Sequence, residues 1–350
     1  MQGKTDPELS VVVPVHNGGA QLGRCLDALL ASDFRDYEIV VVDDGSTDGG
    51  ASAARARGVE VLALAARQGP TAARNRGAAR ARADIIFFVD ADVVVRADTL
   101  ARVAARFRRE PDAAAVFGSY DDAPPAQNFV SQFKNLLHHF VHQDSSAEAS
   151  TFWTGCGAVR REAFEAVGGF DERRYKRPSI EDIELGHRLR RAGFRIVLDK
   201  GLQVTHLKRW TLPSMLRADI FDRALPWSEL ILRDGWMIND LNLRSSARVS
   251  SALTGLSVAL LPLSYFHPAL LAATAAPFMA VFLLNLRFQH FLTERRGRWF
   301  AARAFALLTL YFFYSGTVFA LCYCAHVLKG RDAIERLSPT PTELERISDA

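Results

Sequence analysis

The chain of 350 residues has few cysteines and little net charge. Its four cysteines are too few and too scattered for a disulfide framework, which favours a reducing compartment. A formal net charge of +4 is too small to argue for nucleic acid as a partner. The N-terminus has no basic segment followed by an apolar run of signal-peptide length. We therefore expect no nucleic-acid partner and an N-terminal domain that stays in the cytosol.

One long stretch has no charged residue at all. No Asp, Glu, Lys or Arg occurs from Val249 to Leu286. As one helix this stretch would be roughly 57 Å long, against a hydrocarbon core of about 30 Å. Two crossings at 249–266 and 268–286 fit better, with the turn at Pro268, and a third apolar run at 304–328 is long enough to span once more. Buried helices of a soluble core are the alternative.

Basic residues cluster at the ends of these apolar runs. Arg244 and Arg248 precede the first run. Five more arginines stand between the second and the third: Arg287, Arg295, Arg296, Arg298 and Arg303. Since cytoplasmic loops are enriched in Lys and Arg, both clusters should face the cytoplasm. We therefore expect a multi-pass protein of the cytoplasmic (inner) membrane whose N-terminal domain lies in the cytosol.

Two further segments have an amphipathic pattern. Residues 211–247 alternate apolar and basic positions, and residues 287–303 place aromatic side chains among arginines. Both patterns predict interfacial helices on the bilayer, although packing against the N-terminal domain would also explain the first. The expected organisation is a domain at 1–210, interfacial helices at 211–247, a transmembrane region at 248–328 and a polar tail at 329–350.

The first 210 residues alternate between strand and helix patterns. Strands are predicted at 9–15, 37–43, 59–64 and 84–90, and helices at 20–31, 46–57 and 71–82. The buried, apolar strands predict an α/β domain with a mainly parallel sheet. Ligands bind such sheets beyond the carboxyl ends of the strands. The polar residues at those ends are Asn17, Asp43, Asp44, Asp90 and Asp92.

Asp90 and Asp92 directly follow a buried strand. Carboxylates there are costly without a cation, and their hard oxygen atoms suit Mg²⁺ or Mn²⁺. A metal at this position could bridge a diphosphate and neutralise the charge of a leaving nucleotide. A polar turn in which one aspartate caps the next helix would give the same pattern.

Residues 41–48, VVDDGSTD, combine a strand end, paired acids, a glycine and a helix start. Ser46 or Thr47 could cap the helix, and one acid is enough at its positive end. Asp44 would then be free to accept a hydrogen bond from a base or a ribose. Arg74 stands one strand before the Asp-x-Asp pair and suits bidentate contact with a diphosphate, although a solvated arginine is commoner on a helix.

Four segments together resemble the family 2 glycosyltransferases of GT-A fold. They are residues 11–17 (VVVPVHN), 41–48 (VVDDGSTD), 73–77 (ARNRG) and 89–92 (VDAD), in matching order and spacing. The resemblance covers roughly the first 210 residues. It implies a Rossmann-like GT-A domain, a nucleotide-sugar donor, Mn²⁺ or Mg²⁺ at the Asp-x-Asp, and transfer with inversion at the anomeric carbon.

The resemblance also implies roles for single residues. Donor binding would involve Pro14, Asn17, Asp44, Arg74, Asp90, Gly155 and Arg209. The metal would be held by Asp90, Asp92 and His206, with Asp92 as a direct ligand. The loop 151–157, TFWTGCG, would carry donor-sugar and acceptor contacts, with Trp153 on the acceptor side; an ordinary turn into a helix at Arg161 is the alternative.

Residues 178–184, PSIEDIE, contain the candidate catalytic base. Ser179 and Asp182 stand at the spacing of a capping box, which alone would explain an acid there. The functional interpretation is that Asp182 takes the proton of an acceptor hydroxyl. The family carries its base in such a Glu-Asp pair, so Glu181 is expected on the acceptor side beside it.

Residues 206–210, HLKRW, follow the last predicted strand, 201–205. The pattern is similar to the Gln-x-x-Arg-Trp of membrane-bound polysaccharide synthases, with histidine in place of glutamine, and this departure argues against processive synthesis. Arg209 could reach the pyrophosphate, and Trp210 could stack against an acceptor sugar.

These patterns predict an inverting, membrane-bound glycosyltransferase of the cell envelope. Its acceptor would be a hydroxyl of a lipid or lipid-linked saccharide, because a hydroxyl needs a base while a polyprenyl phosphate is already anionic. A polyprenyl-phosphate sugar synthase is the second candidate, a processive polysaccharide synthase the third, and an inactive membrane scaffold the fourth. The sequence leaves open the sugar, the nucleotide, the choice between Mg²⁺ and Mn²⁺, and the oligomeric state.

Overall fold

The computed structural model divides into two compact units between Arg209 and Trp210. It describes residues 6–235, 237–267 and 270–329. The expected turn at Pro268 and nearly all of the expected tail at 329–350 lie outside these residues, so both stay predictions.

The first unit alternates strands and helices, which confirms the expected α/β fold. Its described residues form nine strands: β1 (Leu9–Val15), β2 (Tyr37–Asp43), β3 (Glu60–Ala63), β4 (Ile85–Val89), β5 (Val93–Val94), β6 (Ala113–Tyr120), β7 (Glu148–Ala149), β8 (Cys156–Arg160) and β9 (Arg195–His206). They also form seven helices: α1 (Gly19–Leu30), α2 (Gly50–Ala56), α3 (Pro70–Arg80), α4 (Thr99–Arg109), α5 (Phe129–Asp144), α6 (Arg161–Ala166) and α7 (Glu181–Arg191).

The strands form one sheet in the order β3-β2-β1-β4-β8-β6-β9-β5, with β7 paired to β9. The first four strands in this order are parallel, as expected. β8 then runs antiparallel between β4 and β6, while β9 is parallel to β6. The reversal at β8 cannot be read from the sequence, because a strand of five residues has no feature that reveals its direction.

β1 is buried along its whole length. It pairs with β4 only as far as Val12, which lies opposite Phe88. Pro14 comes after the end of this ladder, where the N–H group that proline lacks is not needed for pairing with β4. In sheets of this kind, the carboxyl edge beyond such strand ends is where ligands bind.

α3 packs closely on the sheet because of Gly77. A Cβ added there would lie 2.3 Å from Val12 Cγ1 and 3.0 Å from Val42 Cγ2. Arg74 precedes Gly77 by three residues, so it lies on the same, buried side of the helix. The close contact between α3 and β1 therefore fixes the position of Arg74.

Most element boundaries lie within a few residues of those expected, with two larger differences. α2 begins at Gly50 rather than Ser46. The amide of Ser46 instead donates to Asp43 Oδ1 (3.0 Å), so residues 44–48 form a turn. β9 begins at Arg195, well before the expected start at Gly201.

The second unit is helical in its described residues. It contains α8 (Leu212–Arg217), a π-helical segment (Ala218–Ala224), α9 (Leu225–Asp234), α10 (Ser245–Leu260), α11 (Leu270–Leu284), α12 (Leu286–Arg296) and α13 (Arg298–Lys329). The π-helical segment and α9 both pack against α13. Tyr314 donates to Asp219 Oδ2 (2.6 Å), and Leu225 packs with Cys322. At least one face of the expected interfacial segment 211–247 is therefore buried against another helix.

Two of these helical stretches, Ser245–Tyr265 and Arg298–Leu328, are long and apolar enough to cross a membrane. α11 and α12 would supply a third crossing if they act as one span, and they are bent by 64° where they meet. The described residues therefore offer two or three candidate spans, in agreement with the expected number of about three.

The expected single interfacial helix at 287–303 is wrong. α12 ends at Arg296, and Gly297 adopts a φ of 87°, a left-handed value that favours glycine. The chain then begins α13 at Arg298, and α12 packs against it. The basic and aromatic residues of this region thus belong to the ends of two packed helices.

Candidate active site

Asn17 joins the turn after β1 to the turn after β2. Its amide donates to Ser46 Oγ (2.9 Å), and its Oδ1 accepts from the Thr47 amide (2.8 Å). Asn17 has a φ of 52°, a left-handed conformation that asparagine tolerates better than most residues. It lies at the expected edge and is exposed, while Ser46 and Thr47 do not cap α2.

Asp44 shapes the loop that leads into α3. Gln68 N–H donates to its Oδ1 (2.6 Å), and Gly69 N–H donates to its Oδ2 (2.8 Å). The residue is buried, and each oxygen of its carboxylate already accepts one backbone hydrogen bond. Each carboxylate oxygen keeps further acceptor capacity, so the donor-binding role of Asp44 stays a prediction.

Arg74 lies between two acids. Its Nη2 donates to Asp90 Oδ1 and its Nη1 donates to Glu181 Oε1, both at 2.8 Å. Burial by itself would lower the pKa of Arg74, but the charges of Asp90 and Glu181 outweigh this effect and raise the pKa above its ordinary value. The structure thus brings together the predicted donor-side residues Arg74 and Asp90 and the predicted acceptor-side residue Glu181.

Asp182 occupies the first turn of α7. Its Oδ2 accepts from the Thr154 amide (3.3 Å), and its Oδ1 accepts from the Ile183 amide (2.8 Å). Burial, followed by the negative charge of Glu181, raises the pKa of Asp182 to about 6. Such a carboxyl is a stronger base than an ordinary aspartate, which suits general-base catalysis near neutral pH.

The capping-box alternative for this segment is not observed. The residue that caps α7 is Ile180, which has no side-chain capping bond. The Ser179 amide donates to Glu181 Oε2 (2.8 Å), so the acid that stabilises this turn is Glu181 rather than Asp182. The Ser179 amide is therefore bound by Glu181, while Asp182 accepts from the Thr154 and Ile183 amides.

Asp92 and His206 converge at the other end of this edge. His206 Nε2 lies 3.3 Å from Asp92 Oδ2. The two backbones are held in register, because Leu207 N–H donates to the Asp92 carbonyl (2.8 Å) and Val93 pairs with His206. Burial would raise the pKa of Asp92, but the hydrogen bond from His206 and the charge of Lys208 hold it below its ordinary value.

The side chains at this edge of the sheet include oxygen and nitrogen atoms that could bind a divalent cation. Within the described ranges, no group of three or more His, Cys, Asp or Glu side chains could hold a metal. Asp90 faces Arg74, so Asp92 and His206 form the pair that remains. One carboxylate and one imidazole, completed by diphosphate oxygens and water, suit Mg²⁺ or Mn²⁺, which commonly bind through few protein ligands.

The loop 151–157 contacts Asp182 and the aromatic residues near His206. A Cβ added at Gly155 would lie 2.3 Å from the Trp153 ring, so only glycine allows this close approach. Trp153 is half-buried, with its ring edge-on to Tyr120 at 4.8 Å. Because the Thr154 amide donates to Asp182 Oδ2, the loop links Asp182 to this aromatic group.

The two remaining predicted residues stand at the junction of the units. Arg209 is exposed at the end of the first unit, and Trp210 is buried at the start of the second. Their proposed contacts with pyrophosphate and acceptor stay predictions.

Tyr120 is a residue near the site that the sequence analysis does not predict. It ends β6, and its ring stacks on the His206 ring at 4.2 Å with an angle of 5° between the planes. The pairing of β6 with β9 would have indicated Tyr120, because residues that end neighbouring parallel strands meet at one edge of the sheet.

Comparisons with known proteins identify the first unit. A model of glycosyl transferase family 2 matches residues 10–168. The chain is 28% identical over 228 residues to the pre-mycofactocin glycosyltransferase of Mycobacterium tuberculosis, which covers 63% of this chain and 47% of that protein. It is 33% identical over 145 residues to glycosyltransferase GlyG of Streptococcus pneumoniae, covering 40% and 46%. The chain thus spans about half the length of the curated relatives it matches.

A solved structure supports the fold. The mannosyltransferase PcManGT from Pyrobaculum calidifontis, in complex with GDP-Man and Mn²⁺, superposes with a TM-score of 0.55 at 19% identity, covering 90% of this chain and 87% of that one. At this identity the likeness concerns the fold alone. Residues 10–168 therefore match glycosyl transferase family 2, and the first unit has a GT-A-like fold with acids at the carboxyl edge of its sheet.

Proposed function

We propose that the enzyme transfers a sugar, with inversion, from a nucleotide-sugar donor to a hydroxyl of a lipid or lipid-linked saccharide. Asp182 carries this proposal. It lies beside Glu181 in the first turn of α7, its pKa is raised to about 6, and it lies on the same ionic network as the acids of the donor side. A group with these properties is needed for a hydroxyl acceptor and is superfluous for a phosphate acceptor.

The residues of the site suggest a single displacement. Asp182 takes the proton of the acceptor hydroxyl while the hydroxyl oxygen forms the bond to the anomeric carbon and the nucleoside diphosphate leaves. Attack on the face opposite the leaving group inverts the anomeric centre. Pro14, Asn17 and Asp44 would form the nucleoside side of the site, and Gly155 lies beside the proposed acceptor residue Trp153.

Asp92 and His206 would hold the divalent cation, with Asp90 near it and Arg74 balancing the charge of Asp90. When bound, such a cation neutralises charge that develops on the leaving diphosphate. Arg74 keeps its guanidinium between Asp90 and Glu181, which orients the helix that carries the base.

The candidate spans support a membrane acceptor. A catalytic domain that continues in the same chain into two or three helices of membrane-spanning length is held at a bilayer, where lipid substrates are found. The proposal therefore places the enzyme in the cytoplasmic membrane, with its first unit in the cytosol by the positive-inside rule.

The direct test incubates the purified protein with a panel of nucleotide sugars and extracted membrane lipids, including polyprenyl phosphates. Released nucleotide is measured, and the lipids are analysed by mass spectrometry. We expect one donor to give a glycosylated hydroxyl lipid, and Asp182→Asn to abolish turnover while nucleotide affinity is preserved.

Asp33→Asn serves as the matched control, because Asp33 is an exposed aspartate outside the site. It should retain full activity. Sugar transfer to a polyprenyl phosphate that survives Asp182→Asn would instead support the second candidate, a polyprenyl-phosphate sugar synthase, and unchanged transfer to a hydroxyl would remove the mechanism.

A further inference from the structure

The ends of β6 and β9 bring an aromatic ring onto the proposed metal ligand His206. Tyr120 lies opposite Val204 in the parallel register, and His206 follows two residues later. The two rings are stacked, with centroids 4.2 Å apart and planes only 5° from parallel. The edge of the same imidazole, Nε2, is directed at Asp92 Oδ2.

Tyr120 is itself held from several sides. His139 Nδ1 forms a hydrogen bond of 2.7 Å with the Tyr120 carbonyl, and the His138 ring contacts the Tyr120 ring at 4.3 Å. The Trp153 ring packs against it edge-on. The next residue, Asp121, donates its amide to the Val204 carbonyl (2.8 Å), which ties the end of β6 to β9. The Tyr120 ring therefore has a fixed position from which to restrict its neighbour.

A parallel stack fixes the plane of the imidazole. Rotation of His206 about its Cβ–Cγ bond would drive the ring into Tyr120, so Nε2 stays directed at Asp92. Groups that orient a ligating histidine set the affinity of a metal site, and their loss typically weakens binding about 10- to 100-fold. Since the contact involves the ring face, phenylalanine should replace tyrosine without loss.

We infer that Tyr120 is a positioning residue for the metal ligand His206, and that it sets the affinity of the Asp92–His206 pair for a divalent cation. The inference rests on the metal dependence in the proposed function and adds to it a residue outside the ligand set.

The test measures the affinity of the full-length protein for Mn²⁺. Mn²⁺ alone is added, and the concentration of the free ion is measured by electron paramagnetic resonance. Tyr120→Leu should raise the Kd about tenfold, at the lower end of the range for residues that orient ligands. Tyr120→Phe should stay within about twofold of wild type, because it keeps the ring. On a His206→Ala background, Tyr120→Leu should cause no further loss, because there is no imidazole left to orient.

Phe117→Leu is the control for a merely structural effect. Phe117 lies on the same strand and is fully buried, but its aromatic contacts are His142 and Phe152 rather than His206. This variant should lower the melting temperature and leave the Mn²⁺ Kd unchanged. If Tyr120→Leu does not fold, the stack is tested in the wild type by NMR, where the His206 ring protons should be shifted upfield by the ring current of Tyr120.

The outcomes separate the two proposals. Wild-type protein that binds no Mn²⁺ would contradict the metal dependence and this inference together. If the wild type binds Mn²⁺, three results would overturn this inference alone. The first is an unchanged Kd in Tyr120→Leu. The second is an equal loss of Mn²⁺ affinity when Tyr120→Leu is made on the His206→Ala background, and the third is His206 ring protons without an upfield shift.

Discussion

Arg74 forms ion pairs with two acids that come from distant parts of the sequence, Asp90 after β4 and Glu181 at the start of α7. The sequence predicts Arg74 only as a residue that contacts diphosphate. Its geometry adds a second role, because the guanidinium neutralises carboxylates that would otherwise repel each other in a buried place. The side chain therefore contributes to stability as well as to the site.

Arg74→Met should destabilise the first unit by about 3–5 kcal/mol, because removing one partner of a buried ion pair leaves the other charges uncompensated. Thermal unfolding in detergent, followed by circular dichroism, measures the loss. Arg76→Met is the control, since the Arg76–Glu172 pair is exposed and should contribute less than about 1 kcal/mol. Equal melting temperatures for the two variants would contradict the structural role of Arg74.

The pH dependence of the rate should report the pKa of Asp182. Burial and Glu181 raise this pKa to about 6, and only the deprotonated carboxylate can act as a base. The active form is therefore lost as the pH falls through about 6, and kcat/KM should drop about tenfold per pH unit below it. A pH–rate profile measures this limb, with the melting temperature followed over the same range. A flat profile down to pH 5 in a folded enzyme would argue against Asp182 as the base.

Helix α3 shows how one small residue positions a functional one. Gly77→Ala should destabilise the first unit by about 1–3 kcal/mol, because the new Cβ would overlap Val12 and push α3 away from β1. It should also lower activity, since Arg74 moves with the helix. Gly23→Ala in α1 is the matched control, because its Cβ would meet only the end of the flexible Arg57 side chain. Comparable stability of both variants would show that α3 tolerates the displacement.

The sequence predicts well those elements whose burial can be recognised from the pattern of their own residues. β1 and β2 have the expected bounds because β-branched runs facing helices on both sides of a sheet have a distinctive pattern. The direction of β8 and the break at Gly297 depend on partners distant in sequence or on one backbone conformation. Those features appear only in the folded chain.

The same distinction applies to the candidate site. Asp90, Asp92 and His206 end or follow predicted strands, and Asp182 stands at capping-box spacing from Ser179, so their residue types and positions indicate them. Tyr120 has no such signal, because its place beside His206 depends on the register between β6 and β9. The hydrogen bonds from the Gln68 and Gly69 amides to Asp44 likewise depend on the contact between the turn after β2 and the loop before α3. The sequence could not predict these bonds.

At the scale of the whole molecule, the membrane topology can be tested by cysteine labelling. Tyr265 and Trp299 are both highly exposed. They lie at opposite ends of the candidate crossing formed by α11 and α12. In a background with the exposed Cys324 replaced by serine, Tyr265→Cys should react with an impermeant maleimide from outside the cell. Trp299→Cys should react only after permeabilisation, because arginines surround it.

The parent Cys324→Ser protein is the blank for this experiment, since the other cysteines, Cys25, Cys156 and Cys322, are buried. Labelling of both positions from the same side would show that residues 266–298 do not cross the bilayer. The described residues would then provide two crossings, formed by the two straight candidate spans.

The bend between α11 and α12 limits the membrane thickness that these two helices can cross. α11 has 15 residues, which gives a length of roughly 22 Å, short of the about 30 Å of a typical hydrocarbon core. After a change of direction of 64°, the arginine-bearing α12 cannot extend the crossing along the same line. If α11 crosses a membrane, the bilayer around it must become thinner, and membranes with short acyl chains accommodate the helix with less deformation than thick, ordered ones.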